Sequence, residues 1–177
     1  SGPVFDAPLG GDPNLYPSAP LQGLMRQAWG LNKPNGPLPY LATQMPQLDL
    51  NQLGTLYGAL SAKYPNDRLG QTHFWQDLNY SSYSYERFFT DIQNAPNQAA
   101  KEALIHARWG TDTQRLSAKL NGLGNFGGYF PQYRAVNESH CTTIVDFKNG
   151  DIQTMSLELR HFIDSVLDGS GDVLDAS

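Results

Sequence analysis

The sequence predicts an α+β fold that is predominantly α, with a helical body of five or six helices and a C-terminal β-hairpin packed under a final helix. Two observations lead to this class. Apolar residues recur at helical spacing through most of residues 20–120, whereas residues 139–154 alternate with a period of two. A chain of 177 residues with 40% apolar residues can bury a core, so we expect a single globular domain over residues 1–177.

The first segment, residues 1–19, carries four prolines and the pair Gly10-Gly11. Proline and glycine disfavour regular structure, so this segment is predicted to be an extended arm. Its apolar residues, such as Val4 and Phe5, favour an arm that wraps around the domain rather than a loose one.

A short helix is predicted next, because Pro20 is a good first helical residue and helical spacing continues to Gly30. Residues 31–47 are again rich in proline and glycine. They predict a long connection, with Tyr40 and Leu41 as its anchors.

Asp49 and Gln52 resemble a capping box, and an apolar stripe then follows at helical spacing up to Pro65. This pattern predicts a helix. It also carries an adjacent stripe of small residues, Gly54, Gly58 and Ala62. Internal packing and a seam for self-association both fit this stripe, and internal packing is the preferred interpretation.

Further helices are predicted in the middle of the chain, which is dense in aromatic residues. Thr72 is predicted to cap a short helix, and helical spacing resumes at Tyr85. Another helix is expected to start at Asn97. Gly110 is predicted to end it, and Asp112 to cap a shorter one that follows.

The C-terminal hairpin is predicted from two signals. Residues 139–147 alternate in period two and are rich in β-branched residues, which indicates a strand. Asn149 and Gly150 both tolerate positive φ, as a type I′ turn requires, so a second strand is expected to return through Ile152 and Thr154.

The last helix is predicted to begin after Ser156 as N-cap and to stop at Gly169. Its apolar stripe consists of Leu159, Phe162, Ile163, Val166 and Leu167. We expect the hairpin and this helix to form one packed unit, with Phe147 and Phe162 both buried.

The charge distribution limits the classes of partner. The net charge is −5 and the twelve lysines and arginines are scattered, which argues against nucleic acid. No apolar run approaches the roughly 18 residues that cross a bilayer, so no membrane insertion is expected. We expect a protein or a small polar ligand as partner, and neither cofactor nor metal. The oligomeric state and the compartment stay open, with composition slightly favouring an exported protein.

The single cysteine excludes an intrachain disulfide and is a candidate nucleophile. Under this hypothesis Cys141 attacks, Asp146 orients an imidazole, and His161 supplies that imidazole as base. The strand register favours the opposite interpretation, because it places Cys141 on the core face and the adjacent His140 on the other. His161 also falls opposite the apolar stripe of its helix.

The histidines offer no metal-binding motif. His73 and Asp77 are one helical turn apart, and a contact between them on a helix surface explains the pair more simply than a shared ion.

Two aromatic segments are candidate contact surfaces. The string from Gly122 to Gly128 matches GxGxxG, but it follows a predicted helix, so it indicates a flexible loop and not a dinucleotide site. The tyrosines near residue 80 could stack on a partner. The candidate binding residues are Tyr80, Tyr83, Tyr85, Phe126, Tyr129, Phe130 and Tyr133.

Two functional classes follow, and whether the chain is an enzyme stays open. The preferred one is a non-catalytic binding or interaction domain, of an exported effector or accessory protein, that uses this aromatic-rich surface. The alternative is a small cysteine-dependent hydrolase or transferase with Cys141 as nucleophile. The first is preferred because no local element places a nucleophile and a base together.

Overall fold

The computed structural model describes residues 3–132, 140, 153–154, 157–168 and 173–177. It has about 49% helix and 9% strand, which confirms the predominantly α member of the α+β class. The helices are α1 (Ala19–Ala28), α2 (Pro37–Gln44), α3 (Leu56–Lys63), α4 (Leu78–Tyr85), α5 (Thr90–Gln93), α6 (Gln98–Leu120) and α7 (Leu159–Leu167). The strands are β1 (Leu69–Thr72), β2 (Phe126–Tyr129), β3 (Gln153–Thr154) and β4 (Leu157–Glu158).

The long helix α6 forms the centre of the main core, and α4 and α5 pack against it. It starts where the sequence predicts, with the Asn97 side chain accepting a hydrogen bond from the Ala100 amide at 2.9 Å. The predicted break at Gly110 is wrong, and Asp112 is buried inside the helix instead of capping a new one. A glycine costs a helix only about 1 kcal/mol, and burial of Trp109 on this helix outweighs that cost.

Strands β1 and β2 pair in parallel, with Leu69 opposite Phe126. The helices α4, α5 and α6 form the crossover between them. Thr72 therefore belongs to a strand, and the prediction that it caps a helix is wrong. The prediction of a flexible loop at residues 122–128 is also wrong for its second half, because β2 is a buried strand.

The C-terminal residues lie directly against β2, which explains its two glycines. Ala176 forms a parallel bridge with Tyr129, and its amide donates to the Gly128 carbonyl at 2.8 Å. A Cβ atom added at Gly127 would lie 2.3 Å from the Leu174 carbonyl oxygen. Only glycine allows this close approach of backbone to backbone.

The N-terminal arm packs on the helical body. Phe5 is buried against Trp109, with ring centroids 5.0 Å apart in an edge-to-face arrangement. The amide of Val4 donates to the Tyr57 hydroxyl at 3.1 Å. The arm also passes so close to Gly54 that a side chain there would collide with Asp6, which supports the internal-packing interpretation at this glycine.

Two further predictions between residues 31 and 64 require correction. The predicted connection over residues 31–47 contains α2, because Pro37 occupies a first-turn position where its missing amide hydrogen costs nothing. Tyr40 is 64% exposed and anchors nothing, whereas Leu41 packs against a small core cluster. The predicted helix from Asp49 is an α-helix only from Leu56 onwards, after a 3₁₀ turn at Leu53–Thr55.

Helix α7 has the predicted amphipathic face except at Leu167, which is 78% exposed. Phe162 is buried against Tyr129, with ring centroids 5.6 Å apart. Its N-cap is Glu158 rather than the predicted Ser156. The strand over residues 139–147, its Asn149-Gly150 turn and Phe147 lie outside the described residues, apart from His140. Within the described residues, β3 pairs antiparallel with β4.

Candidate functional site: a cavity beneath the N-terminal arm

Helix α1 presents a polar row to the interior of the protein. Ser18, Gln22 and Arg26 are spaced four residues apart, so their side chains follow one another along one face of the helix. Ser18 is the N-cap residue and Pro20 fixes the first turn. The apolar stripe expected from the sequence is only partly buried, since Leu24 is 38% exposed.

This face borders a cavity of about 480 Å³. Walls come from the arm, from α1, from the 3₁₀ turn and from α4. The lining residues are Pro3, Val4, Phe5, Ser18, Leu21, Gln22, Met25, Arg26, Trp29, Leu31, Leu53, Tyr80 and Ser84. Most of these are apolar, and Trp29, at 65% exposure, lies where the cavity meets solvent.

Arg26 is only 4% exposed and is held at one end of its guanidinium group. Its Nη1 atom donates to the Leu50 carbonyl and to Asn32 Oδ1 at 3.3 Å. Nε and Nη2 have no hydrogen-bond partner. Burial lowers the pKa of Arg26 and the negative charge of Asp49 partly opposes this, but an arginine stays protonated in any protein.

Two more polar groups at the cavity lack partners. Gln22 is oriented by its Nε2 atom, which donates to the Phe5 carbonyl at 2.9 Å, and its Oε1 atom accepts no hydrogen bond. The Ser18 hydroxyl, on a residue only 3% exposed, is also without a hydrogen-bond partner. Buried polar atoms in native proteins are nearly always bonded, so three such residues in one row are unusual.

A buried acid lies behind the cavity on α6. Asp112 Oδ2 accepts a hydrogen bond from the Tyr85 hydroxyl at 2.9 Å. Burial raises the pKa of Asp112 to about 6, and the polar groups of Tyr85 and Ser18 oppose this rise. Ser18 lies close enough to Asp112 to lower this pKa, although neither Asp112 Oδ1 nor Ser18 Oγ has a hydrogen-bond partner of normal geometry.

The predicted aromatic surface is largely interior. Tyr80 is half-buried and lines the cavity, and Tyr83 is 51% exposed with the Arg87 guanidinium 5.1 Å from its ring centroid. Four of the candidate residues are buried and form no exposed surface here: Tyr85, Phe126, Tyr129 and Phe130. Tyr133 lies outside the described residues.

Only one member of the predicted catalytic set, His161, lies within the described residues. Cys141 and Asp146 lie outside the described residues, so the nucleophile hypothesis stays a prediction. His161 Nδ1 accepts a hydrogen bond from the Glu158 amide at 3.2 Å, which gives this side chain a helix-capping role in α7.

The predicted surface contact between His73 and Asp77 is wrong. His73 follows β1 and is buried, with Nε2 lying 3.3 Å from the Thr113 hydroxyl. Burial lowers its pKa to about 3, so this imidazole is neutral. Asp77 caps α4 and lies 3.0 Å from His140 Nδ1. The helix assumed at residue 72 is a strand, which removes the helical spacing on which the prediction depended.

The row of Ser18, Gln22 and Arg26 was missed by sequence analysis. An arginine beside apolar residues on a short helix ordinarily extends its charge to solvent. Its burial depends on the arm and on residues 50–53 folding over α1. The four-residue spacing of three polar residues was the only available signal.

Among the described residues, no three histidine, cysteine, aspartate or glutamate side chains are grouped to hold a metal ion. None of the helices in these ranges is both long and apolar enough to cross a membrane. Comparison with protein-family models, with curated proteins and with solved structures finds no match for this chain.

Proposed function

We propose that this chain is a non-catalytic binding domain that takes up a small, largely apolar ligand in the cavity beneath its N-terminal arm. This function belongs to the class preferred from the sequence, a non-catalytic binding domain. The proposed binding site, however, is the cavity and not the aromatic surface. Tyr80 is the residue that the two have in common.

The observation that carries this proposal is the combination of an apolar wall with unpartnered polar atoms. Small-molecule sites are concave, span about 300–1,000 Å³ and combine mainly hydrophobic walls with a few placed polar groups. The cavity, with a volume of about 480 Å³ and the row on α1, fits this description. Two shallower surface depressions, near Tyr83 and near Tyr40, have less apolar linings, and none of their lining residues carries a buried polar atom without a partner.

The test uses Nile red, a neutral apolar dye whose fluorescence rises in apolar surroundings. We expect saturable binding with one dye per chain. Met25→Trp fills the cavity from α1 and should abolish binding. Leu24→Trp is the matched control, because Leu24 is the neighbouring residue on the same helix and does not line the cavity. Absence of saturable binding to the wild type, or equal loss in both variants, would refute the proposal.

A further inference from the structure

We propose that the cavity selects an apolar carboxylic acid, whose carboxylate binds the Nε–Nη2 edge of Arg26 and which carries a hydrogen-bond donor close to that carboxylate. This inference rests on the proposed function, since it names the chemical class of the ligand.

The free edge of Arg26 has the geometry of a carboxylate receptor. The Nε hydrogen and one Nη2 hydrogen point the same way in the plane of the guanidinium group, so they match the two oxygens of a carboxylate. Nη1 is already bonded to Leu50 and Asn32, which fixes the plane of the group. The orientation of the guanidinium group is therefore set before a ligand arrives, but Nε and Nη2 are covered by protein atoms, so neighbouring side chains must shift to admit the carboxylate.

The positive charge of Arg26 also favours a carboxylate ligand. A buried cation without a counter-ion is costly, and an arginine cannot escape that cost by losing its proton. Asp49 influences Arg26 but is exposed, and its carboxylate accepts from the Asn51 amide at 2.8 Å. Among the described residues, no carboxylate lies within 4.0 Å of the Arg26 guanidinium. Because Arg26 is the single charged residue among the described residues that line the cavity, a monoanion suits it better than a dianion.

Gln22 restricts the chemical class of the ligand further. Its free Oε1 atom lies one helical turn from Arg26 and is an acceptor, so it disfavours a second acceptor in a ligand and requires a donor. A hydroxyl or amide N–H beside the carboxylate meets this requirement. The rest of the ligand lies against apolar side chains such as Leu21, Met25 and Leu53. Hydroxyalkanoic acids and N-acyl amino acids share this pattern.

The probe is 3-hydroxydecanoate, with its methyl ester and plain decanoate as comparisons, titrated into the protein at pH 7 by calorimetry. We expect the acid to bind at least about tenfold more tightly than its ester, because a hydrogen bond to a charged group is stronger than one to a neutral group. Decanoate should bind several-fold more weakly than the hydroxy acid.

Two variants, at Arg26 and Gln22, test which side chain causes each binding preference. Arg26→Met should remove the preference for acid over ester, whereas Arg87→Met, at an exposed arginine away from the cavity, should leave it unchanged. Gln22→Leu should remove the preference for the hydroxy acid over decanoate. If Arg26→Met does not fold, Arg26→Lys decides, because it keeps the charge, lacks the two-pronged edge and should reduce the preference several-fold.

The outcomes separate the two proposals. Equal binding of acid and ester to a wild type that binds Nile red overturns the carboxylate inference and leaves the binding domain intact. Retention of the full acid preference in a folded Arg26→Met or Arg26→Lys variant also overturns it. If neither Nile red nor any of the three probes binds, both proposals fail.

Discussion

The packed centre around Trp109 and the cavity beneath the arm both bury polar atoms beside aromatic rings, but they treat those atoms differently. At the centre, Trp109 Nε1 donates to the Phe74 carbonyl at 2.8 Å, and the ring contacts Phe5 and His73 edge-on. At the cavity, Arg26 retains two nitrogen atoms without partners. The contrast shows that one core can hold a region whose polar atoms are hydrogen-bonded next to a region with unused hydrogen-bonding capacity.

The two regions also differ in how a buried charge is accommodated. His73 and Asp112, at the centre, have pKa values shifted towards their neutral forms by burial. Arg26 has no neutral form available near physiological pH. The centre can therefore lower its own electrostatic cost by exchanging protons, and the cavity cannot.

The largest expected effect tests the difference in packing. Trp109→Ala should lower the free energy of unfolding by about 3–5 kcal/mol, because it empties a closed site and removes the hydrogen bond to the Phe74 carbonyl. Met25→Ala should cost about 1 kcal/mol or less, because Met25 already borders open space. Urea denaturation of both variants measures the difference. Similar losses would show that the cavity wall is packed as tightly as the centre.

The next effect concerns His73 and acid. Its pKa is about 3 in the folded protein and about 6.5 when unfolded, so below pH 6.5 the unfolded chain binds a proton that the folded chain does not. Acidification from pH 7 to pH 4 should therefore remove about 3 kcal/mol of stability through this group. His73→Gln should lose correspondingly less stability over that range. Parallel acid losses in the variant and wild type would contradict a buried neutral imidazole.

The pKa shift of Asp112 should make stability depend on pH in the opposite direction, with a slightly smaller effect. Its pKa is raised to about 6 in the folded protein, so the folded chain binds the extra proton and stability decreases as pH rises through 4 to 6. Asp112→Asn keeps an acceptor for Tyr85 and removes the titration. Relative to wild type, the variant should gain about 2 kcal/mol at pH 7 compared with pH 4. Thermal unfolding at the two pH values provides the measurement, and a constant difference would contradict the shift.

The smallest expected effect is at the surface, outside both regions. Arg108 and Asp91 form an ion pair at 2.8 Å, and this contact lowers the pKa of Asp91, whose side chain is 50% exposed. Because solvent screens such pairs, Asp91→Asn should change the free energy of unfolding by about 0.5 kcal/mol or less. A loss comparable to that of Trp109→Ala would mean that the stability effect of a substitution in this protein does not follow the burial of the residue.

Sequence analysis located the elements that have strong local signals. Asn97 marks the start of α6 and the amphipathic stripe marks α7, because caps and helical periodicity are properties of neighbouring residues. Strands β1 and β2 have only four residues each, and the Gly127-Gly128 pair in β2 resembles a loop. Their pairing depends on each other and on the C-terminal residues, which no local pattern encodes.

The candidate site is likewise only partly predictable from local sequence patterns. The position and limits of α1 follow from Pro20 and from helical spacing, and both agree with the structure to within about one residue at the start. The burial of Arg26 does not follow from them, because it depends on contacts with Leu50 and Asn32 that form only in the fold. Local periodicity therefore located the helix, but not the face on which the site lies.

The parallel pairing of β1 with β2 has a consequence for the kinetics of folding. Three helices separate the two strands along the chain, so their ends must meet across a long loop before any sheet hydrogen bond forms. Helices depend on near neighbours and form early, whereas distant pairings wait for loop closure. The slowest step on the way to the native state should then be the pairing of these two short strands, after α4 and α5 have packed against α6.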